Sequence, residues 1–116
     1  MAFAVRERRN GPVVVLELEG RLTWGEGSEK LDAIVRRLIE GGERALLLDC
    51  SRVASIDSQG IKSLVSGYTS LEKRGGHLKL LRMSPRVREV LELTRLLTVI
   101  ETFDDEGAAV KSFPGR

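Results

Sequence analysis

An α/β fold is what the sequence predicts: one mixed sheet of about five strands, with about four helices mainly on one face. Segments typical of strands and of helices alternate along the chain and are joined by only a few residues. The length fits one domain with one core over residues 1–116. Aromatic residues make up only 4% of the sequence, so Val, Leu and Ile have to build the core, which suits a sheet covered by helices.

The chain begins with a predicted pair of antiparallel strands. Residues 13–19 form a β-branched run that passes into an apolar-polar alternation, and Gly20 ends it. A turn pair at residues 11–12 separates this run from residues 3–8, which we expect to be its partner. Every later strand follows a helix, so the order is β-β-α-β-α-β-α-β-α and the repeated crossovers are expected to be right-handed.

A helix and a buried strand come next. Apolar residues recur at helical spacing across residues 31–39, which indicates a helix lying on the core. Its start is open between two positions: Thr23 and Glu26 have the spacing of a capping box, and Ser28 is an alternative first residue. The apolar run that leads to Asp49 is typical of a central strand buried on both faces, and we expect the strand to end there.

The second half starts with a helix, a strand and another helix. After a polar loop at residues 50–55, a helix is predicted over residues 58–74, and residues 77–81 form the next strand. Ser84 is suited to cap the following helix, because Pro85 occupies its first position, where a missing N–H costs nothing. The apolar face of the helix over residues 58–74 is expected to contain Ile61, Leu64, Val65, Tyr68 and Leu71.

A short strand and a helix complete the prediction. Residues 96–101 are expected to form the strand. Asp104 or Asp105 is placed to cap a helix that ends near Ser112. We expect residues 113–116, which follow this helix, to be frayed.

Charge and cysteine content bear on the class of protein. Lys and Arg number 19 against 17 Asp and Glu, and the net charge of +2 is a weak electrostatic footprint for direct nucleic-acid binding. No apolar run approaches the roughly 20 residues that span a bilayer. Cys50 is the single cysteine and cannot form an internal disulfide, and the charged start lacks the apolar stretch of a signal peptide. We therefore expect a soluble cytoplasmic protein without a membrane partner.

The strongest candidate for a functional site is the Ile-Asp-Ser-Gln-Gly segment at residues 56–60. It delivers Asp57 and Ser58 onto the start of an amphipathic helix, where main-chain donors would hold the hydroxyl and could receive a phosphate. The same position also fits a plain helix cap formed by Ser58 or Asp57. Gly60 has two interpretations as well: close packing of the helix, or close approach of a partner's backbone or a nucleotide.

Five segments carry a family resemblance through their order and spacing. They are Gly-Arg-Leu at 20–22, Leu-Leu-Asp-Cys-Ser at 47–51, Ile-Asp-Ser-Gln-Gly at 56–60, Lys-Arg-Gly-Gly at 73–76, and Ser-Pro-Arg-Val-Arg-Glu-Val-Leu-Glu-Leu-Thr at 84–94. On these segments the chain, from Val13 to about Ala109, resembles the STAS domain of bacterial anti-sigma factor antagonists. The resemblance implies the same α/β fold.

The resemblance also implies a partner-switching cycle. The unphosphorylated protein would bind an anti-sigma factor, usually a serine kinase of the histidine-kinase-like ATPase fold, and so free a sigma factor. The kinase would phosphorylate the serine after the aspartate of the family motif, which is Ser58 here, and a serine phosphatase would reset it. We therefore expect a non-enzymatic phosphoprotein that needs no cofactor and that could form a weak homodimer.

Two residues depart from the family pattern. Many relatives have an aspartate where this chain has Thr23, and a small residue where it has Gln59. Trp24 is either an exposed anchor for a partner or a core residue at the sheet edge. The expected partner-binding surface contains Arg21, Thr23, Trp24, Ser55, Ile56, Asp57, Ser58, Gln59, Gly60 and Lys62.

Two other functions fit the sequence less well. One is a non-switching adaptor or scaffold subunit, as in stressosome-like assemblies or lipid-transport complexes, in which Ser58 would mainly cap its helix. The other is a serine hydrolase, which would have to use His77, the only histidine, and nothing local supports a triad there. With one histidine and one cysteine the chain cannot make a usual structural zinc site, and we expect no metal.

Overall fold

One sheet, with its strands in the order β1-β2-β3-β4-β5, organises the part of the chain that the computed structural model describes, residues 2–114. The strands are β1 Ala4–Asn10, β2 Val13–Leu22, β3 Ala45–Ile56, β4 His77–Leu81 and β5 Thr102–Phe103. The helices are α1 Glu26–Glu40, α2 Ser58–Glu72, α3 Pro85–Leu93 and α4 Glu106–Ser112. Because β1 is antiparallel to β2 and the other neighbours are parallel, the sheet is mixed, which confirms the predicted fold class and element order.

Both faces of the sheet are covered, but unequally. Helices α1, α2 and α3 pack on one face, where Leu16 and Leu48 belong to the larger core. Among the described elements, only α4 packs on the other face, against a smaller cluster that includes Val15 and Leu47. Neighbouring residues of a strand point to opposite faces, so this double covering explains the continuous apolar runs in β2 and β3.

The prediction that the central strand ends at Asp49 is wrong, because β3 continues to Ile56. The Asp49 carboxylate accepts hydrogen bonds from the backbone N–H and hydroxyl of Ser51, at 3.0 and 2.8 Å. Beyond this point β3 stays paired with β2, but two register shifts interrupt the ladder. Such irregularities break the two-residue alternation by which a strand is recognised in a sequence, so residues 50–55 resemble a loop.

The predicted strand at residues 96–101 is also wrong. Leu96–Thr98 forms a short 3-10 helix, and β5 lies later and contains only two residues. The Thr98 hydroxyl donates to the carbonyl of Arg95 at 2.7 Å, a local bond that favours a turn. Ile100 is nevertheless 1% exposed, so the apolar pattern in this segment reflects core packing and not strand pairing.

The start of α1 and one residue on the predicted apolar face of α2 differ from the prediction. Gly25 is the N-cap of α1, with φ +95 and no side-chain cap, so the proposed capping box is not formed. In α2 the buried side consists of Gly60, Ser63, Leu64, Gly67 and Leu71, whereas Val65, expected in the core, is 37% exposed. The small residues allow close approach: a Cβ on Gly67 would lie 3.1 Å from Leu78.

The carboxyl end of α4 is fixed to the sheet by a buried lysine. The ammonium group of Lys79 donates to the carbonyl of Ser112 at 3.0 Å and lies 4.8 Å from the ring centroid of Phe113. Lys79 and Phe113 are each 6% exposed. The expectation that residues 113–116 are frayed is therefore wrong for Phe113, and residues 115–116 lie outside the described range.

The amino end of α4 is fixed by ion pairs to β1. Arg8 donates to both carboxylate oxygens of Glu106, at 2.6 and 2.8 Å, and to Glu17 at 2.8 Å. Asn10 adds a further bond to Glu106 at 2.9 Å. The hydrogen bonds from Arg8 and Asn10 lower the pKa of Glu106 from 4.5 to about 2. The folded protein therefore favours the ionised form of this carboxyl.

We expect the Glu106→Gln variant to unfold more easily than wild type at pH 7, by about 1 to 2 kcal/mol, since the pair is partly exposed. Because folding lowers the pKa of Glu106, its contribution is complete above pH about 4.5 and is lost as the pH falls toward about 2. We therefore expect urea unfolding to show a smaller difference in the free energy of unfolding between wild type and Glu106→Gln at pH 3 than at pH 7. The same difference in free energy at both pH values would contradict this account. Glu40→Gln, at an exposed position in α1, is the control.

Candidate functional site

The ends of β2 and β3 place the candidate residues beside one another. In the parallel ladder Arg21 is opposite Ser55 and Leu22 is opposite Ile56. The carboxyl ends of parallel strands meet at the same edge of a sheet. The loop at residues 23–25, which follows β2, therefore lies next to the start of α2, which follows β3.

Asp57 joins these two segments. Its backbone is extended, and one carboxylate oxygen accepts from the N–H groups of Gln59 and Gly60, both at 3.0 Å, as the N-cap of α2. The other oxygen accepts from the N–H of Trp24 at 2.9 Å. The bond from Trp24 and those from the start of α2 lower the pKa of Asp57, so the carboxyl is ionised at neutral pH.

Ser58 is the first residue of α2 and is exposed. Of the two candidates for the cap, the structure uses Asp57. The expectation that main-chain donors hold the Ser58 hydroxyl is therefore wrong, because the N–H groups of Gln59 and Gly60 go to the Asp57 carboxylate. This hydroxyl is therefore not needed to start the helix, and Ser58 lies at the surface.

Two of the expected contact residues lie beneath the surface. Ile56 is 8% exposed and belongs to the larger core. Gly60 is buried, and a Cβ at this position would collide with the carbonyl oxygen of Leu22 and lie 2.8 Å from the side chain of Ile56. Of its two interpretations, close packing is therefore the correct one. Ile56 and Gly60 therefore lie beneath the surface of the site and present no side chain to a partner.

The remaining expected contact residues are at or near the surface. Trp24 is 77% exposed, so the structure places it as an accessible aromatic side chain and not as a core residue. Its neighbour Gly25 has φ +95, a conformation that favours glycine. The exposed members are Arg21, Trp24, Ser58 and Lys62, and the partly exposed members are Thr23, Ser55, Asp57 and Gln59.

Other reactive side chains lie elsewhere. His77 is at the start of β4, opposite Ala45 at the start of β3, whereas Ser58 follows the end of β3, so these two side chains are at opposite ends of the sheet. Burial raises the pKa of Cys50 to about 12, which leaves its thiol unreactive at neutral pH. Between residues 2 and 114 no three His, Cys, Asp or Glu side chains are grouped as metal ligands. None of the helices in this range is both long and apolar enough to cross a bilayer.

Solved structures share this fold. An anti-sigma factor antagonist from Mycobacterium paratuberculosis matches with a TM-score of 0.84 and 21% identity, over 96% of this chain and 93% of the other. The anti-sigma factor antagonist SpoIIAA in its unphosphorylated form matches with a TM-score of 0.77 and 24% identity, over 93% and 94% of the two chains. At these identities the likeness concerns the fold alone.

Sequence comparison identifies the family. The model of the STAS domain matches residues 4–109. BtrV of Bordetella bronchiseptica, named as an anti-sigma factor antagonist, is 30% identical over 86 residues, which are 74% of each chain. The chain therefore belongs to the STAS domain family and, by homology, to its anti-sigma factor antagonists.

Proposed function

We propose that this protein is a phosphorylation-controlled partner switch. Its unphosphorylated form binds an anti-sigma factor that is also a serine kinase of the histidine-kinase-like ATPase fold, and this binding releases a sigma factor. Phosphorylation of Ser58 ends the complex, and a serine phosphatase restores it. The observation that carries the proposal is that Ser58 is exposed at the first position of α2. Because Asp57 forms the N-cap, the Ser58 hydroxyl is not needed to cap the helix.

A phosphoryl group on Ser58 can act without refolding the domain. It adds a charge of about −1.5 to −2 at pH 7. The charge is placed next to the ionised carboxylate of Asp57, on a surface that would be desolvated against a partner. A tenfold loss of affinity corresponds to only about 1.4 kcal/mol, which repulsion and desolvation of one misplaced phosphate readily supply.

The unphosphorylated surface has a definite chemistry. Trp24 is a large apolar side chain suited to a pocket on the partner, and aromatic residues of this kind dominate many interfaces. Arg21 near the end of β2 and Lys62 in α2 are also exposed, and both favour acidic groups on the partner. We assign the protein a binding role and no catalysis of its own, and we place the cycle in the cytoplasm.

Phosphorylation mapping tests this proposal. Wild type and Ser58→Ala are incubated with ATP and each histidine-kinase-like anti-sigma factor of the same organism, then analysed by intact mass and peptide mapping. We expect a single phosphoryl group on wild type, located at Ser58, and none on Ser58→Ala. The exposed hydroxyl is not part of the helix cap, so the variant should fold as wild type does.

The opposite result supports the adaptor function. If complexes form but no kinase modifies wild type, the domain is a constitutive binding subunit and the switch proposal is wrong. Thr23 would then be the residue to examine, because it lies in the loop joined to Asp57 and provides no carboxylate near Ser58. Thr23→Asp would be expected to restore modification.

A further inference from the structure

We propose that Asp57 is a positioning residue: it holds the loop at residues 23–25 against α2, so that Trp24 is presented beside Ser58 in a fixed place. The claim about the loop concerns this chain alone. Its consequence, that Trp24 is a preset anchor for the anti-sigma factor, rests on the proposed function.

The bond from Trp24 to Asp57 connects segments that are 33 residues apart in sequence. Asp57 is fixed in place by the start of α2, to which its other oxygen is bonded twice. The loop receives its position from a residue that is itself held by a helix. A charged acceptor makes such a bond stronger than one between neutral groups.

The Trp24 side chain has little to hold it at this end of the sheet. With 77% of its surface exposed, the side chain packs little against the domain. The following residue, Gly25, has open space where a Cβ would be. On the other side the loop backbone is joined to α1 through its carbonyls: Thr23 accepts from the N–H of Ser28 and Gly25 accepts from the N–H of Glu29, both at 3.0 Å. The bond to Asp57 connects the loop to the start of α2.

A fixed anchor is worth more to binding than a mobile one. Ordering a loop or a large side chain when a complex forms costs free energy that a preordered surface has already lost on folding. The bond also fixes the backbone of Trp24 relative to Asp57 and so to the neighbouring Ser58. A partner that accommodates Trp24 therefore meets Ser58 at a defined position, which suits a partner that both binds and modifies the protein.

Asp57→Asn separates the two roles of the carboxylate. Asn is as good an N-cap as Asp, so its oxygen can still accept from Gln59 and Gly60. Its amide nitrogen then faces the N–H of Trp24, donor against donor, and this bond is lost. The matched control is Asp105→Asn, since Asp105 caps α4 through the N–H of Ala108 at 2.8 Å.

The first measurement uses the protein alone. Amide hydrogen exchange followed by NMR should show the Trp24 N–H exchanging about tenfold faster in Asp57→Asn, because a charge-assisted bond has been removed. Trp24 is the only tryptophan, so its fluorescence anisotropy should fall in the same variant. Asp105→Asn should change neither value. Unchanged exchange and anisotropy in Asp57→Asn would overturn the proposal.

The second measurement uses the histidine-kinase-like anti-sigma factor that binds wild type. Affinities are determined for Asp57→Asn, Trp24→Ala and the double variant. If Asp57 acts through Trp24, the double variant should bind no more weakly than Trp24→Ala, within about twofold. Losses that multiply would overturn the role of Asp57 in presenting the anchor. If no anti-sigma factor binds wild type, the proposed function fails, and the exchange experiment still decides whether Asp57 positions the loop.

Discussion

Gly60→Ala should be strongly destabilised, with the free energy of unfolding reduced by about 3 kcal/mol. The added Cβ would collide with the carbonyl oxygen of Leu22, so α2 has to move away from the end of β2. The atom that the Cβ meets most closely belongs to the backbone of Leu22, so no flexible side chain can give way at this contact. Urea unfolding should show a lower midpoint at an unchanged slope, which reports lost stability without a change in the denatured state.

Gly107→Ala is the control for this variant. Gly107 lies inside α4, where a new Cβ would meet the end of the Asp105 side chain at 3.3 Å. Alanine is favoured over glycine in a helix, so we expect stability to stay the same or to rise by up to about 1 kcal/mol. If Gly60→Ala were as stable as wild type, the close approach of α2 to β2 would not require glycine, and our account of that motif position would fail.

Ser58→Asp should bind the cognate anti-sigma factor at least about tenfold more weakly than wild type, as measured by calorimetric titration. The new carboxylate lies beside that of Asp57, on the surface that also contains Trp24. Binding would have to bring two adjacent negative charges out of water. Stability should be unchanged or slightly higher, because an acidic residue in the first turn of a helix interacts favourably with its dipole.

Ser66→Asp is the matched control for the charge mimic. Ser66 is an exposed serine of the same helix, roughly 12 Å further along its axis. At physiological salt this distance exceeds the Debye length of about 8 Å, so affinity should change little. Equal affinities of Ser58→Asp and wild type would show that electrostatic repulsion does not release the partner.

Much of the fold could be predicted because local signals agree with the final packing. Residues 13–19 and the run before Asp49 are strands in the structure because both sheet faces are covered. Ser84 caps α3 through the N–H of Val87, as predicted, and Asp105, one of the two predicted candidates, caps α4. In these segments propensity, periodicity and cap chemistry favour the same conformation.

The remaining features depend on contacts between distant residues. The extension of β3 to Ile56 depends on register shifts in its pairing with β2, and the local sequence pattern does not predict such shifts. The buried Lys79 serves the carboxyl end of α4, which is 33 residues away in sequence. The sequence also left open whether Asp57 or Ser58 caps α2. In the structure Asp57 is the cap, and its second oxygen binds the N–H of Trp24, a contact between segments that are distant in sequence.

The central claim is that a phosphoryl group on Ser58 turns partner binding off. The most direct test is to titrate the same anti-sigma factor, with ADP in place of ATP, with wild type before and after complete phosphorylation. We predict an affinity at least about tenfold weaker for the phosphorylated protein, restored by phosphatase treatment, with no change in its thermal unfolding. Equal affinities for the two forms would contradict the account.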